Sequence, residues 1–172
     1  MTVESRSLRS DPCVPLRRSP LADHPLASGS GVRLAEIPFR TAMNVQGSAS
    51  FPTPPPGGVT EWSERSVLWL GPTEWLVIDG EPIDLPGGVD VSANRTTIEL
   101  SGPNARDVLE KGCTLDLHPR AFTAGRCAQT TLARAQVILW QTSDEPVYHL
   151  LVRGSFARYV ADWLTDAASE YS

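Results

Sequence analysis

Between Thr96 and Leu100 the side chains alternate. Thr96, Ile98 and Leu100 point one way, and Thr97 and Glu99 point the other, the period-two pattern of a half-buried strand. The period then changes, with Ala105, Val108, Leu109 and Gly112 recurring at helical spacing. The stretch from Thr96 to Trp140 thus opens with a strand that runs through Ser101-Gly102-Pro103 into a short helix. Ser101 is placed to cap the first turn, and Pro103 sits where its missing N–H is harmless. Lys111 falls in the last turn, Gly112 suits a left-handed C-terminal position, and Asp107 and Lys111 are spaced to pair on the solvent face.

The same reading extends along the chain. Val32 to Ala42 carries a strand signal, followed by a second strand near Met43 to Gln46. Gly47 to Gly58, with Pro52, Pro54, Pro55 and Pro56, is a loop. Ser66–Leu70 and Trp75–Ile78 flank Gly71-Pro72-Thr73-Glu74 as a hairpin, and Val89 to Ser92 is a short strand. Cys113 to Arg126 is irregular. Gln129–Leu132, Gln136–Gln141 and Val147–Arg153 are strands, and Ser155 caps a last helix with the stripe Phe156, Tyr159, Val160, Trp163 and Leu164. Hairpins late in each half, and helices only in the second, predict an α+β fold of two interleaved strand-rich lobes, about 32–92 and 93–168, the first lacking a helix.

Residues 1–31 hold prolines at 12, 15, 20 and 25 and too few apolar residues to pack alone, so they read as an extended N-terminal arm preceding a single domain over 32–172. Leu16, Leu21 and Leu26 are spaced as anchors, which makes Arg17–Leu26 a segment docked on a partner, and deletion of residues 1–26 is expected to leave the stability of the chain itself unchanged.

Composition narrows the function. A chain of 172 residues, 41% of them hydrophobic, can bury one good core, while a net charge of −5 leaves no basic excess for a nucleic-acid backbone. No apolar run reaches the roughly 20 residues of a membrane span. Cys13, Cys113 and Cys127 are odd in number and far apart, as in a reduced, cytoplasmic protein. His24, His118 and His149 lack ligand partners at metal-binding spacing, and Cys113 follows a helix C-terminus, which disfavours a thiolate. Asp116 is the carboxylate to check for a ligand role, although an exposed turn aspartate is the favoured reading. Trp69 and Trp75 flank the hairpin turn and Trp140 ends a strand, positions that suit either core edges or partner anchors.

Four runs carry a family resemblance: Leu70-Gly71-Pro72-Thr73-Glu74-Trp75-Leu76, Val89-Asp90-Val91-Ser92, Leu100-Ser101-Gly102-Pro103-Asn104-Ala105, and Lys111-Gly112-Cys113-Thr114-Leu115-Asp116-Leu117-His118-Pro119-Arg120-Ala121-Phe122. Gly125-Arg126-Cys127-Ala128-Gln129-Thr130 and Ser155-Phe156-Ala157 continue it. Over about Ser19 to Ala168 the chain resembles the gamma subunit of heterotetrameric sarcosine oxidase, within the aminomethyltransferase-like folate-binding fold. The resemblance implies a supporting subunit, docked mainly on alpha beside beta and delta, with no catalytic, cofactor or metal residue of its own. The enzyme it implies oxidises sarcosine to glycine and hydrogen peroxide and passes the one-carbon unit to tetrahydrofolate. FAD, FMN and NAD are then held by alpha and beta, and zinc by delta.

Folate-using members place a glycine and paired acids where this chain has Ala135-Gln136-Val137-Ile138-Leu139, and no acid occurs between Arg126 and Gln141. The alternative is a stand-alone folate-binding transferase or iron–sulfur maintenance protein, in which Asp116 or Glu99 would have to serve as the acid. Lys111-Gly112-Cys113 is superficially similar to the Lys-Gly-Cys of the maintenance proteins, but its continuation, Thr114-Leu115-Asp116, departs from their pattern. Leu21, Leu26, Trp69 and Trp75 are the candidate partner-interface residues.

Overall fold

Ten strands form two five-stranded antiparallel sheets in the computed structural model, which describes residues 18–26 and 28–171. The strands are β1 (Arg33–Ile37), β2 (Ala42–Gln46), β3 (Val59–Trp62), β4 (Arg65–Gly71), β5 (Glu74–Ile78), β6 (Gly88–Asp90), β7 (Arg95–Ser101), β8 (Cys127–Leu132), β9 (Ala135–Gln141) and β10 (Val147–Arg153). The helices are α1 (Ala105–Glu110) and α2 (Ala157–Ala168). One sheet runs β1-β7-β10-β9-β8 and the other β3-β4-β5-β2-β6. The fold is α+β and mostly β. β1 lies in the sheet built from the second half of the chain, with Leu34 opposite Leu100 and Glu36 opposite Ile98. β3 is an addition to the sequence reading, because four partly exposed residues are too few to show a period.

The sheets pack face to face, and each also buries its outer face. Trp75-Leu76-Val77-Ile78 is buried throughout because its odd and even residues serve different cores. Leu76 and Ile78 meet Leu68, Ile138, Trp140 and Leu151 between the sheets, whereas Trp75 and Val77 join Val45, Phe51, Val67 and Leu85 outside. Phe51, from the proline-rich loop, stacks on Trp62 at 5.4 Å and meets Trp75 edge-on at 5.9 Å. The other sheet's outer face is covered by α1 and α2. Val108, Leu109, Val160 and Leu164 pack there on Ile98, Leu100 and Leu150, each buried apolar side chain contributing about 1.5–3 kcal/mol.

Several local expectations are corrected. Ser101 ends β7 rather than capping α1. The N-cap is Asn104, which makes no side-chain cap bond and donates from Nδ2 to Asp107 at 3.0 Å, so Pro103 lies before the helix. Gly102 is the residue with a left-handed backbone, φ 116°, and a Cβ there would lie 2.6 Å from the Gly31 carbonyl oxygen. Gly112 is not left-handed. It is small because the Trp163 ring lies against it, 2.5 Å from where a Cβ would stand. Lys111 does not pair with Asp107. Its Nζ donates to the Ala167 carbonyl at 2.6 Å and lies 3.1 Å from Glu170, so it serves the C-terminus of α2 instead of its own helix.

Ser155 makes no cap bond, since Gly154–Phe156 is a 3-10 turn leading into α2. Of the α2 stripe, Val160 and Leu164 are buried and Trp163 is partly so, but Phe156 and Tyr159 are exposed. The arm also differs from expectation. Leu21 is 3% exposed in this chain's own main core, Leu26 packs against that core, Arg158 Nε donates to the Pro20 carbonyl at 3.3 Å, and His24 pairs with Asp162 at 3.1 Å. Deleting residues 1–26 would remove a core leucine, so the expected indifference of stability does not hold. Cys13, Leu16 and Arg17 lie outside the described residues.

Candidate functional site

Strand alternation and register place three rows of side chains on the face that the β7–β10–β9–β8 sheet turns toward its partner sheet. They are Glu99–His149–Trp140–Cys127, then Thr97–Leu151–Ile138–Gln129, then Arg95–Arg153–Gln136–Thr131. The middle row is apolar at its centre and meets Leu68, Leu76 and Ile78. The two outer rows carry the chemistry.

At the first row, Arg40 reaches in from the β1–β2 connection. Its Nε donates to Asp79 Oδ1 at 2.7 Å and its Nη2 pairs with Oδ2, a two-pronged bond to the residue that follows β5. Arg40 Nη1 lies 3.1 Å from His149 Nδ1. Arginine can only donate, so Nδ1 accepts and the imidazole proton sits on Nε2, which faces Glu99 Oε2 at 3.6 Å. Trp140 closes the group, edge-on to His149 at 5.2 Å and with the Arg40 guanidinium 5.6 Å from its ring. The backbone is bent to allow this. Phe39, just before Arg40, has φ 58°, and Asp79 has φ 67° with Gly80 at 68°. Such left-handed positions cost about 1–3 kcal/mol at a bulky residue.

The electrostatics agree with the geometry. Burial, and then the Arg40 charge, hold the His149 imidazole below its ordinary range, against the opposing pull of Glu99 and Asp79. With its lone pair taken by Arg40, His149 cannot act as a base unless Arg40 moves. In the same row the Cys127 thiol donates to the Gly58 carbonyl at 3.2 Å and to that of Trp69 at 3.5 Å, and burial pushes it up to about 11, which makes it an inert thiol. The group is a joint: it ties the loop between β1 and β2, the end of β5 and the inner strands of the opposite sheet.

The residues singled out from sequence are scattered. Leu21 and Trp75 are buried in this chain's own cores, while Trp69 and Leu26 are partly exposed. Asp116 is exposed and accepts from the His118 backbone N–H at 2.9 Å, an Asx turn. Cys113 is partly buried near the Thr130 hydroxyl, at 3.9 Å. Among the described residues, no three His, Cys, Asp or Glu side chains come together to hold a metal ion, and no helix is long and apolar enough to cross a membrane. A cavity of about 350 Å3 beyond Asp79 is lined by Glu81, Asp84 and Asp90 with Arg65. Sequence reasoning missed Arg40, Asp79 and the role of His149. The available signals were a charge and an imidazole inside apolar strands, at Glu99 and His149, and Asp79-Gly80 closing a strand.

A two-sheet α+β chain whose histidine is locked by an arginine has a structural joint at its seam. Comparison with known proteins places it more closely. Residues 80–170 match the sarcosine oxidase, gamma subunit family. The sarcosine oxidase subunit gamma of Corynebacterium sp. (strain P-1) is 39% identical, covering 99% of this chain and 95% of that protein, and that of an Arthrobacter species is 38% identical over the same shares. A chain of the heterotetrameric sarcosine oxidase from Corynebacterium sp. U-96, solved in complex with pyrrole 2-carboxylate, superposes with a TM-score of 0.80 at 34% identity, over 91% of this chain and 97% of that one. The chain belongs to the sarcosine oxidase gamma subunit family.

Proposed function

We propose that this chain is the gamma subunit of a heterotetrameric, cytoplasmic sarcosine oxidase and supports the assembly without a reaction centre of its own. The likeness to gamma subunits from end to end, 99% of this chain against 95% of the relative, carries the reading. In it, alpha, beta and delta subunits hold FAD, FMN, NAD and zinc, pass the one-carbon unit to tetrahydrofolate, and meet this chain mainly through alpha. The two sheets are then the interleaved lobes of the aminomethyltransferase-like fold, which the exchange of β1 into the second sheet supports. Trp69 and Leu26 are the sequence candidates still exposed enough to reach a partner. The chemistry of the seam agrees with this role. The His149 lone pair is engaged, Glu99 faces His149, and Asp116 closes an exposed turn, so neither acid is set to serve a folate.

The test is co-expression with and without the other three subunits. This chain is expected to co-elute with them in fixed proportion, and alone to carry no flavin and oxidise no sarcosine. An active assembly that never retains it, or flavin bound stoichiometrically to the isolated chain, would overturn the reading.

A further inference from the structure

The third row of the inter-sheet face, Arg95–Arg153–Gln136–Thr131, has no counterpart to the balanced charges of the first. Arg95 and Arg153 are direct cross-strand partners on β7 and β10, so two guanidinium groups stand side by side on one face of the sheet. Like charges placed directly opposite destabilise a sheet. Among the described residues, no carboxylate lies within ion-pair distance of either arginine. The charge of Glu74 acts on Arg95, but that carboxylate is itself engaged by the Asn44 amide at 2.7 Å. Burial and the Arg153 charge both weaken the hold of Arg95 on its proton, and Glu74 only partly opposes them. The pair lines a cavity of about 300 Å3 together with Gln129, Thr131 and Gln136, whose amide and hydroxyl groups are neutral hydrogen-bond donors.

We propose that this cavity is an oxyanion site, in which Arg95 and Arg153 grip one carboxylate or phosphate group and Gln136 and Thr131 supply neutral donors. Guanidinium groups match the flat fork of such an anion, and one bound negative charge relieves the repulsion between the two arginines. The same chemistry has two sources: a free small anion, or an acidic side chain of another protein chain seated at the open end of the sheet. The proposal stands on this chain's own residues and does not depend on its place in the oxidase.

The experiment is thermal unfolding of the full chain in about 10 mM inorganic phosphate against sodium chloride at matched ionic strength, for the parent and for Arg153→Gln and Arg95→Gln/Arg153→Gln. Phosphate strengthens burial non-specifically in all three, so the site is read from the difference between them. The parent is expected to gain about 3–6 °C more than the double variant, the shift for a millimolar site in a domain of this size. Arg153 is exposed, so Arg153→Gln folds and keeps the comparison valid if the double variant does not. 31P line broadening of phosphate by the parent, absent with Arg153→Gln, is the second readout. Equal phosphate shifts in parent and variants, or line broadening that persists in Arg153→Gln, would overturn the proposal. Repeating the comparison in the assembled complex separates the sources: a retained difference identifies a free anion, and a lost one a neighbouring chain's carboxylate.

Discussion

The two ends of the inter-sheet face solve the same problem in opposite ways. Both bring an arginine into a partly buried polar row, but at one end Arg40 finds Asp79, His149 and the Trp140 ring, and at the other Arg95 finds Arg153. Desolvating a charge costs several kcal/mol unless its partners are in place. The first end therefore holds this chain together, while the second remains poised for a charge that its own residues do not supply. Burial of a charged side chain alone does not distinguish a structural joint from a binding site, and its partners do.

Breaking the joint gives the largest effect. Arg40→Ala should lower unfolding stability by about 3 kcal/mol in urea titration, since it strands Asp79 and removes the donor to His149. A loss below about 1 kcal/mol would place the joint among ordinary surface pairs.

The joint should also have a pH signature. His149 is held below its ordinary value of 6.5, so the unfolded chain binds more protons than the folded one just below that pH. Its contribution is fully present above about pH 6.5 and is lost as the pH falls from there toward the folded value. His149→Gln should flatten that part of the stability profile, and an unchanged slope would show that other groups set it.

Cys127 sharpens the picture of a sealed row. With its thiol at about 11, roughly one molecule in a thousand carries the thiolate at pH 8. In a Cys13→Ser background, Cys113 should react with a thiol reagent in the native state and Cys127 only on unfolding. Fast labelling of both would open the seam to solvent.

The smallest effect belongs to the other end. Without added anion, Arg153→Gln should change stability by no more than about 0.5 kcal/mol, or raise it slightly by removing a like-charge neighbour. A loss comparable to that of Arg40→Ala would abolish the contrast between the two ends.

The chain itself determined much of this. A period-two run marked β7, apolar runs between turn residues marked β4, β5, β8, β9 and β10, the Gly71–Glu74 turn marked its hairpin, and the change of period after Leu100 marked α1, because these features are written in neighbouring residues. The motifs that carry the family resemblance were legible for the same reason. What a residue did at a distance was not. Gly102, Gly112 and Lys111 look like helix punctuation, yet they are set by Gly31, Trp163 and the end of α2. Leu21 looked like an anchor for another protein and fills this chain's own core. The Arg40–Asp79 pair spans 39 residues and Arg40–His149 spans 109, and no local period records such separations. Local sequence decides strand, turn and helix because backbone conformation and amphipathic period are short-range. Only the packed sheets decide which charges meet, since strand register aligns residues from distant parts of the chain in one row.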